Sequence, residues 1–298
     1  MKKTIALLLH PLFLLPLTPL FLLLSGCEKE ISIDDLPQPT MKICVEGHVE
    51  PGQNPFVYLS INAPYFAPTD LNNLSQYTVH GAFVTVNDGF TTDTLIEVVP
   101  SFGYYYKANN MTGVAGRTYN LTIVSNGKTY TATTTIPQPV PLDSVWFKVE
   151  GTLDSLGYVW AHLSEPAGLG NAYRWSAMRE TKDQDFISPL GSAFDDKFID
   201  GKSFDFAYNR GEVPNSNAED DNNGEAGYFK KGDTVYVKFS SIDHDAFEFY
   251  RSFETEIGSN GNPFASPSTV KTNIFPKGEA LGIFCGYGAF IDTLYIAP

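Results

Sequence analysis

The chain has 298 residues, with 20 lysine and arginine residues against 34 aspartate and glutamate residues, and a formal net charge of −14. An apolar content of 43% and an aromatic content of 14% exclude a disordered or collagen-like chain. The acidic balance excludes nucleic-acid binding as the main role, because such a surface repels phosphate backbones. The length predicts roughly two domains, each with its own core.

Residues 1–26 have the features of an export signal. Basic residues follow Met1, an apolar run extends from Ile5 to Leu24, and the run ends in Leu24-Ser25-Gly26-Cys27. This tetrapeptide resembles the bacterial lipobox, in which the cysteine receives a diacylglycerol. We therefore predict a lipoprotein signal peptide over 1–26 and lipidation of Cys27. The alternatives are another kind of signal peptide and a transmembrane helix, which three prolines disfavour: Pro11, Pro16 and Pro19.

Residues 27–40 read as an acidic, proline-containing tether. Four acidic residues lie between Glu28 and Asp35, and two prolines follow at Pro37 and Pro39. Acidic runs directly after a lipidated cysteine resemble the surface-export signals of Bacteroidota lipoproteins, and the alternative is a plain solvated tether. The prolines are expected to stiffen the segment and hold the following domain away from the membrane.

From Met41 the sequence alternates between apolar and polar residues, which is typical of strands with one buried face. In the first run Ile43, Val45 and Val49 share one face, while Glu46 and His48 share the other. Similar runs recur up to Ile136, and turn sequences at 87–89 and 125–127 predict hairpins. Seven strands over 41–136 favour an immunoglobulin-like β-sandwich.

The proline-rich segment 137–143 is predicted to be a linker to a second β-rich domain over 144–298. That domain has long polar loops and one predicted helix near 243–257, with Asp243 as its N-cap and Gly258 as its end. The fold class is therefore mainly β, with two β-sandwich-like domains.

Aromatic residues near predicted loops are candidates for contact with a ligand or protein partner, because flat rings with polar edges stack well. We single out Tyr65, Phe66 and Phe102 as surface candidates. The alternative is a place in the core, which we expect for most other aromatic residues, including the three tryptophans.

An acidic loop over 211–227 is a candidate for calcium binding through Glu219, Asp221 and Glu225. An EF-hand register would place Lys230 at its twelfth position, which has the wrong charge, so a solvated loop is the favoured alternative. No zinc-binding or catalytic motif is present, and we expect neither an enzyme nor a bound cofactor, although separated carboxylates leave a glycosidase open. Cys44 and Cys285 are expected to be separate thiols.

Several short motifs point to one family. They are Val45-Glu46-Gly47, Ala63-Pro64-Tyr65-Phe66, Gly116-Arg117-Thr118-Tyr119, Ile136-Pro137, Thr272-Asn273-Ile274 and Leu281-Gly282-Ile283-Phe284. Together with the lipobox they resemble the domain-of-unknown-function 4249 lipoproteins. The resemblance implies an outer-membrane lipoprotein of Bacteroidota, often encoded beside a TonB-dependent transporter, and it carries over no catalytic residues.

The leading functional hypothesis is a lipid-anchored, non-catalytic binding lipoprotein at the cell surface that assists a TonB-dependent outer-membrane transporter in nutrient uptake. Two alternatives stay open. One is a structural or adhesive surface protein, and the other is a hydrolase that acts on surface polymers.

Overall fold

The computed structural model describes residues 40–63, 74–99, 104–212, 225, 227–259 and 269–298. The predicted signal peptide, Cys27 and the tether up to residue 39 lie outside the described residues.

Strands dominate the described residues, as the sequence predicts. A 3-10 helix spans Leu74–Tyr77, and one α-helix, α1, spans His244–Ser259 within the described part of the chain. The strands are β1 Ile43–Val49, β2 Phe56–Ile61, β3 Phe83–Asn87, β4 Thr92–Val98, β5 Tyr105–Lys107, β6 Thr118–Ser125, β7 Lys128–Thr135, β8 Ser144–Val149, β9 Leu156–Ser164, β10 Ala172–Arg179, β11 Ala193–Asp195, β12 Ser203–Tyr208, β13 Phe229–Lys230, β14 Thr234–Ile242, β15 Ala280–Gly286 and β16 Gly288–Tyr295.

The first sheet has eight strands in the order β15-β1-β2-β5-β4-β3-β6-β7. Strand β4 pairs with β3 through Thr92–Leu95 and with β5 through Ile96–Val98. It therefore joins two strand layers, as strands do at the corners of sandwiches. The apolar face of β1 points into the core between the layers, where Val45 and Val49 are each 1% exposed. A mainly β, sandwich-like fold is confirmed.

The β6–β7 hairpin forms where the sequence predicts it. Asn126 and Gly127 have positive φ angles of 49° and 74°, and Ser125 pairs with Lys128 across the turn. Asparagine and glycine reach this left-handed region at low cost, so these two residues fix the register of the hairpin.

Strand β15 lies within the predicted second domain by sequence, but it pairs in parallel with β1 of the first sheet. A Cβ atom on Gly282 would lie 1.9 Å from the carbonyl oxygen of Val45, so only glycine allows this close approach. The strand is largely buried, and parallel strands are ordinarily covered on both faces, which its apolar sequence allows. Met41–Pro298 consequently forms one compact unit.

The other two sheets enclose the second core. One has the order β11-β10-β14-β16, while in the other β9 pairs with β8, β12 and β13. Between them lie large side chains that are fully buried, including Tyr173, Trp175 and Phe239. The short strands β11, β12 and β13 are not among those predicted from the sequence.

Helix α1 begins at the predicted cap. The amide of Ala246 donates to Oδ1 of Asp243 over 2.9 Å, and Thr134 Oγ1 donates to Oδ2 over 2.6 Å. The end differs from the prediction, since Gly258 lies within the last turn. Phe253 and Ile257 are exposed, because the packed face is the one carrying Ala246, Phe247 and Tyr250.

Cys44 and Cys285 are unbridged, as expected. Although β1 and β15 are neighbours, Cys44 lies opposite Leu281 and Cys285 lies opposite His48. Burial raises the pKa of both thiols, and that of Cys285 strongly. Both are therefore protonated and poorly reactive near neutral pH.

Candidate functional site

A cleft of about 720 Å³ separates the first sheet from the β10-β14-β16 side of the second core. Its volume lies within the range of about 300–1,000 Å³ that is typical of small-molecule sites. Charged, hydroxyl and aromatic side chains line it, so the cleft is chemically unlike the cores on either side.

The first wall is built by the outward faces of β1, β2 and β5. Strand alternation that buries Val45 and Val49 turns Glu46 and His48 outward. Glu46 pairs in register with Tyr58 of β2, which in turn pairs with Tyr105 of β5. The two tyrosine rings lie 5.5 Å apart between centroids, so an aromatic surface borders the carboxylate.

The second wall is built by β10 and β14. Arg174 lies opposite Ser240, and Ser176 lies opposite Lys238. The neighbours of Arg174 on its own strand, Tyr173 and Trp175, point the other way into the core. The same alternation thus anchors the strand with aromatic rings and presents the guanidinium to the cleft.

Arg174 is held by two tyrosines and no carboxylate among the described residues. Its Nη1 donates to the hydroxyl of Tyr287 over 3.1 Å, and its Cζ lies 3.6 Å from the ring centroid of Tyr250. Its Nε is buried and has no hydrogen-bond partner in the described structure. The two tyrosine hydroxyls contact each other, and burial raises the pKa of both, so they are neutral. The positive charge of Arg174 is therefore not balanced by an ion pair.

The other charged groups of the cleft are arranged differently. Lys238 forms a half-buried ion pair with Glu50, in which the two opposite charges cancel. The side chain of Glu46 is 65% exposed, with Oε1 3.4 Å from Nε2 of His48. This contact with His48 lowers the pKa of Glu46, which keeps the carboxylate ionised. Among the described residues, Arg174 on one wall and the accessible Glu46 on the other thus lack an ion-pair partner of the kind that Lys238 and Glu50 supply to each other, and Lys107, Asp185 and Glu212 add further charges to the lining.

Of the ligand and metal candidates singled out from the sequence, the structure describes Glu225. Tyr65, Phe66, Phe102, Glu219 and Asp221 lie outside the described residues. The candidate calcium ligand Glu225 instead pairs with Lys230 over 2.5 Å, which lowers its pKa. Nowhere in the described ranges do three or more histidine, cysteine, aspartate or glutamate side chains form a group that could hold a metal ion.

Two of the three tryptophans form a second aromatic surface, although all three were expected in the core. Only Trp175 is fully buried. Trp146 and Trp160 lie opposite each other on β8 and β9, with ring centroids 6.3 Å apart and planes inclined by 21°. Lys148 lies over the ring of Trp160 at 5.1 Å from its centroid. Both indoles are half-buried on the outer face of the sheet.

Arg174 and Lys238 were not predicted from the sequence as site residues. The available signal was an arginine between two aromatic residues in a strand, since alternation places it opposite the buried face. The sequence could not show that Arg174 lies across a cleft from Glu46, because the two residues belong to distant parts of the chain.

The described part of the chain has no helix that is both long and apolar enough to cross a membrane. None of the curated proteins compared with the chain matches it. The model of one family, a domain of unknown function, DUF4249, matches residues 28–290, which include both walls of the cleft and strand β15. The chain therefore belongs to the DUF4249 family.

Proposed function

We propose that this protein is a lipid-anchored, non-catalytic binding lipoprotein that assists a TonB-dependent transporter in nutrient uptake at the bacterial outer membrane. The observation that carries the proposal is the cleft, which Arg174 lines from one wall and Glu46 from the other, together with aromatic side chains. Concave sites of this size with a few polar groups are typical of ligand binding.

The electrostatics of the cleft favour binding of a polar ligand from outside. A half-buried guanidinium without a carboxylate partner costs free energy, because its lost hydration is only partly replaced by two phenols. A ligand that brings a complementary group recovers part of that free energy on binding. The self-neutralised pair of Lys238 and Glu50 gives no such gain.

Placement at the membrane is supported by the sequence. The lipobox around Cys27, the acidic tether and the family resemblance all favour a surface lipoprotein of Bacteroidota. An anchored protein meets other outer-membrane proteins at an effective concentration of roughly millimolar, so a weak interface with a transporter is enough. The absence of recognised catalytic motifs from the sequence favours capture of the ligand over its chemical conversion.

Affinity purification from detergent-solubilised outer membranes tests the partnership. We expect a TonB-dependent transporter to co-purify in stoichiometric amount, and deletion of the gene to slow growth on the substrate of that transporter. If no transporter co-purifies and growth is normal, the proposal is wrong and a structural or adhesive role is favoured.

Complementation with point variants tests whether the cleft matters. Glu46→Gln and Tyr58→Ala alter accessible residues of the first wall and should fail to restore growth while the transporter still co-purifies. The matched control is Tyr295→Ala, which alters an aromatic residue that is 64% exposed and lies outside the cleft. Full growth with both cleft variants would contradict a role for the cleft in uptake.

A further inference from the structure

The charges around the cleft are separated in a way that defines a ligand class. Glu46 of β1 and Arg174 of β10 line the cleft from its two walls. Glu46 lies opposite Tyr58 in the β1–β2 pairing, and Asp185 lines the same cleft; burial and both carboxylates raise the pKa of Tyr58. The cleft therefore has an acidic part at Glu46 and Asp185 and a basic part at Arg174, while Lys107, Glu212 and the Lys238–Glu50 pair complete its charged lining.

Each part suits one kind of chemical group. A guanidinium stacked on an aromatic ring is suited to a carboxylate, because the planar groups match in geometry. Carboxylates beside an aromatic face suit an ammonium group, which gains both an ion pair and a cation–π contact. A ligand with only one charge would leave the other part of the cleft unmatched.

The remaining lining limits the ligand further. Four aromatic residues contribute surface to the cleft: Phe56, Tyr58, Tyr105 and Phe186. Such surface suits apolar side chains, whereas the hydroxyls of Ser176 and Ser240 are polar contacts on the opposite wall. The volume of about 720 Å³ exceeds the needs of a single amino acid.

We propose that the cleft binds a short zwitterionic peptide, with its carboxylate at Arg174 and its amino group at Glu46 and Asp185. This inference rests on the proposed function, since it names the ligand class of the same cleft. Hydrophobic side chains of the peptide lie against the aromatic wall, and the two ends fix its direction.

Ligand modification tests this without altering the protein. The probes are a tripeptide library built from alanine, leucine, phenylalanine and serine, the same library N-acetylated, the same library C-amidated, and a neutral oligosaccharide mixture. Binding to the purified full-length protein in detergent is measured by calorimetry. We expect the unmodified library to bind at least tenfold more tightly than either modified library, and the oligosaccharides not to bind.

Variants then assign the two ends. The penalty for a modification is the loss of affinity that it causes relative to the unmodified library. Glu46→Gln should reduce the penalty for N-acetylation and leave the penalty for amidation unchanged, because only the contact with the amino group is weakened. Arg174→Gln should do the reverse, and its folding is checked by its unfolding midpoint. The control Tyr295→Ala should keep both penalties at the values of the unaltered protein.

Equal affinity for all three libraries, no peptide binding, or tighter binding of oligosaccharides would overturn the inference. Its failure is separable from that of the proposed function. If the transporter co-purifies but no peptide binds, the ligand class is wrong and the partnership stands. If peptides bind but no transporter co-purifies, the partnership is wrong.

Discussion

Both polar groups of the Asn273 side chain form hydrogen bonds with the main chain of Phe284. Its Nδ2 donates to the Phe284 carbonyl over 2.7 Å, and its Oδ1 accepts from the Phe284 amide over 3.0 Å. Nδ2 also donates to the carbonyl of Thr133 in β7 over 3.2 Å. One side chain thereby links β15 and β7, the two end strands of the first sheet, where open edges would otherwise be exposed.

We expect Asn273→Ala to lower the free energy of unfolding by about 2–4 kcal/mol, because it leaves buried main-chain groups of Phe284 without partners. The measurement is denaturant unfolding followed by circular dichroism. The control is Asn120→Ala on β6, which removes an exposed contact with Thr133 Oγ1 and should cost less than about 1 kcal/mol. Equal losses of stability in the two variants would contradict the role of Asn273 in linking β15 to β7.

The contact between β1 and β15 depends on the absence of a side chain at Gly282. We expect Gly282→Ala to cost more than about 3 kcal/mol, since its Cβ would collide with Val45 and its φ of 99° is unfavourable. Thermal and denaturant unfolding measure the loss.

Gly278→Ala separates the two causes. Gly278 has a similar φ of 82°, but a Cβ there would meet nothing within 4 Å. It should therefore show the backbone cost alone, about 1–2 kcal/mol. If the two variants lose the same stability, the close approach of β15 to β1 is not as described.

Local pattern explains how much of the fold the sequence could predict. Strands β1 to β7 bury one face each, so alternation identifies them, and the Asn126-Gly127 turn fixes one hairpin. The partner of strand β15 could not be predicted in this way. A parallel pairing between the two ends of the chain depends on contacts that no short window contains.

The candidate site was less predictable for the same reason. Glu46 was placed correctly on the outward face of its strand, yet an outward residue is ordinarily a solvated one. Its role in the cleft depends on Arg174, and only the packing of the two walls brings these residues together. Aromatic residues near loops were the stronger local signal, but those residues lie outside the described part of the chain.

The turn between β3 and β4 makes stability sensitive to acid. Hydrogen bonds from the amides of Thr91 and Phe90, together with Arg117, lower the pKa of Asp88 from 3.8 to about 2. Because the folded pKa lies below the unfolded one, this contribution is complete above about pH 4 and is lost as the pH falls towards 2. We expect Asp88→Asn to lower stability at pH 7 by about 1–3 kcal/mol.

The variant should also lose less further stability between pH 4 and pH 2 than the unaltered protein, because it has no proton to take up at this position. Urea unfolding at several pH values measures both effects. Asp154→Asn, at an exposed position, serves as the control and should keep the original pH dependence. Identical pH profiles for the Asp88 variant and the unaltered protein would contradict the assignment.

The last prediction concerns Cys27, on which the proposed location depends. Three acyl chains, at about 0.8 kcal/mol for each buried methylene, would make the anchor practically permanent. Metabolic labelling with a fatty-acid analogue should mark the unaltered protein, and Cys27→Ser should lose the label completely. Cys44→Ser is the matched control, because it removes another thiol at a half-buried strand position and should keep full labelling. Blotting for the protein corrects for differences in amount. Equal labelling of the Cys27 variant would rule out lipidation at this residue and leave the proposed surface anchor without support, since the tether would then have no lipid to hold it.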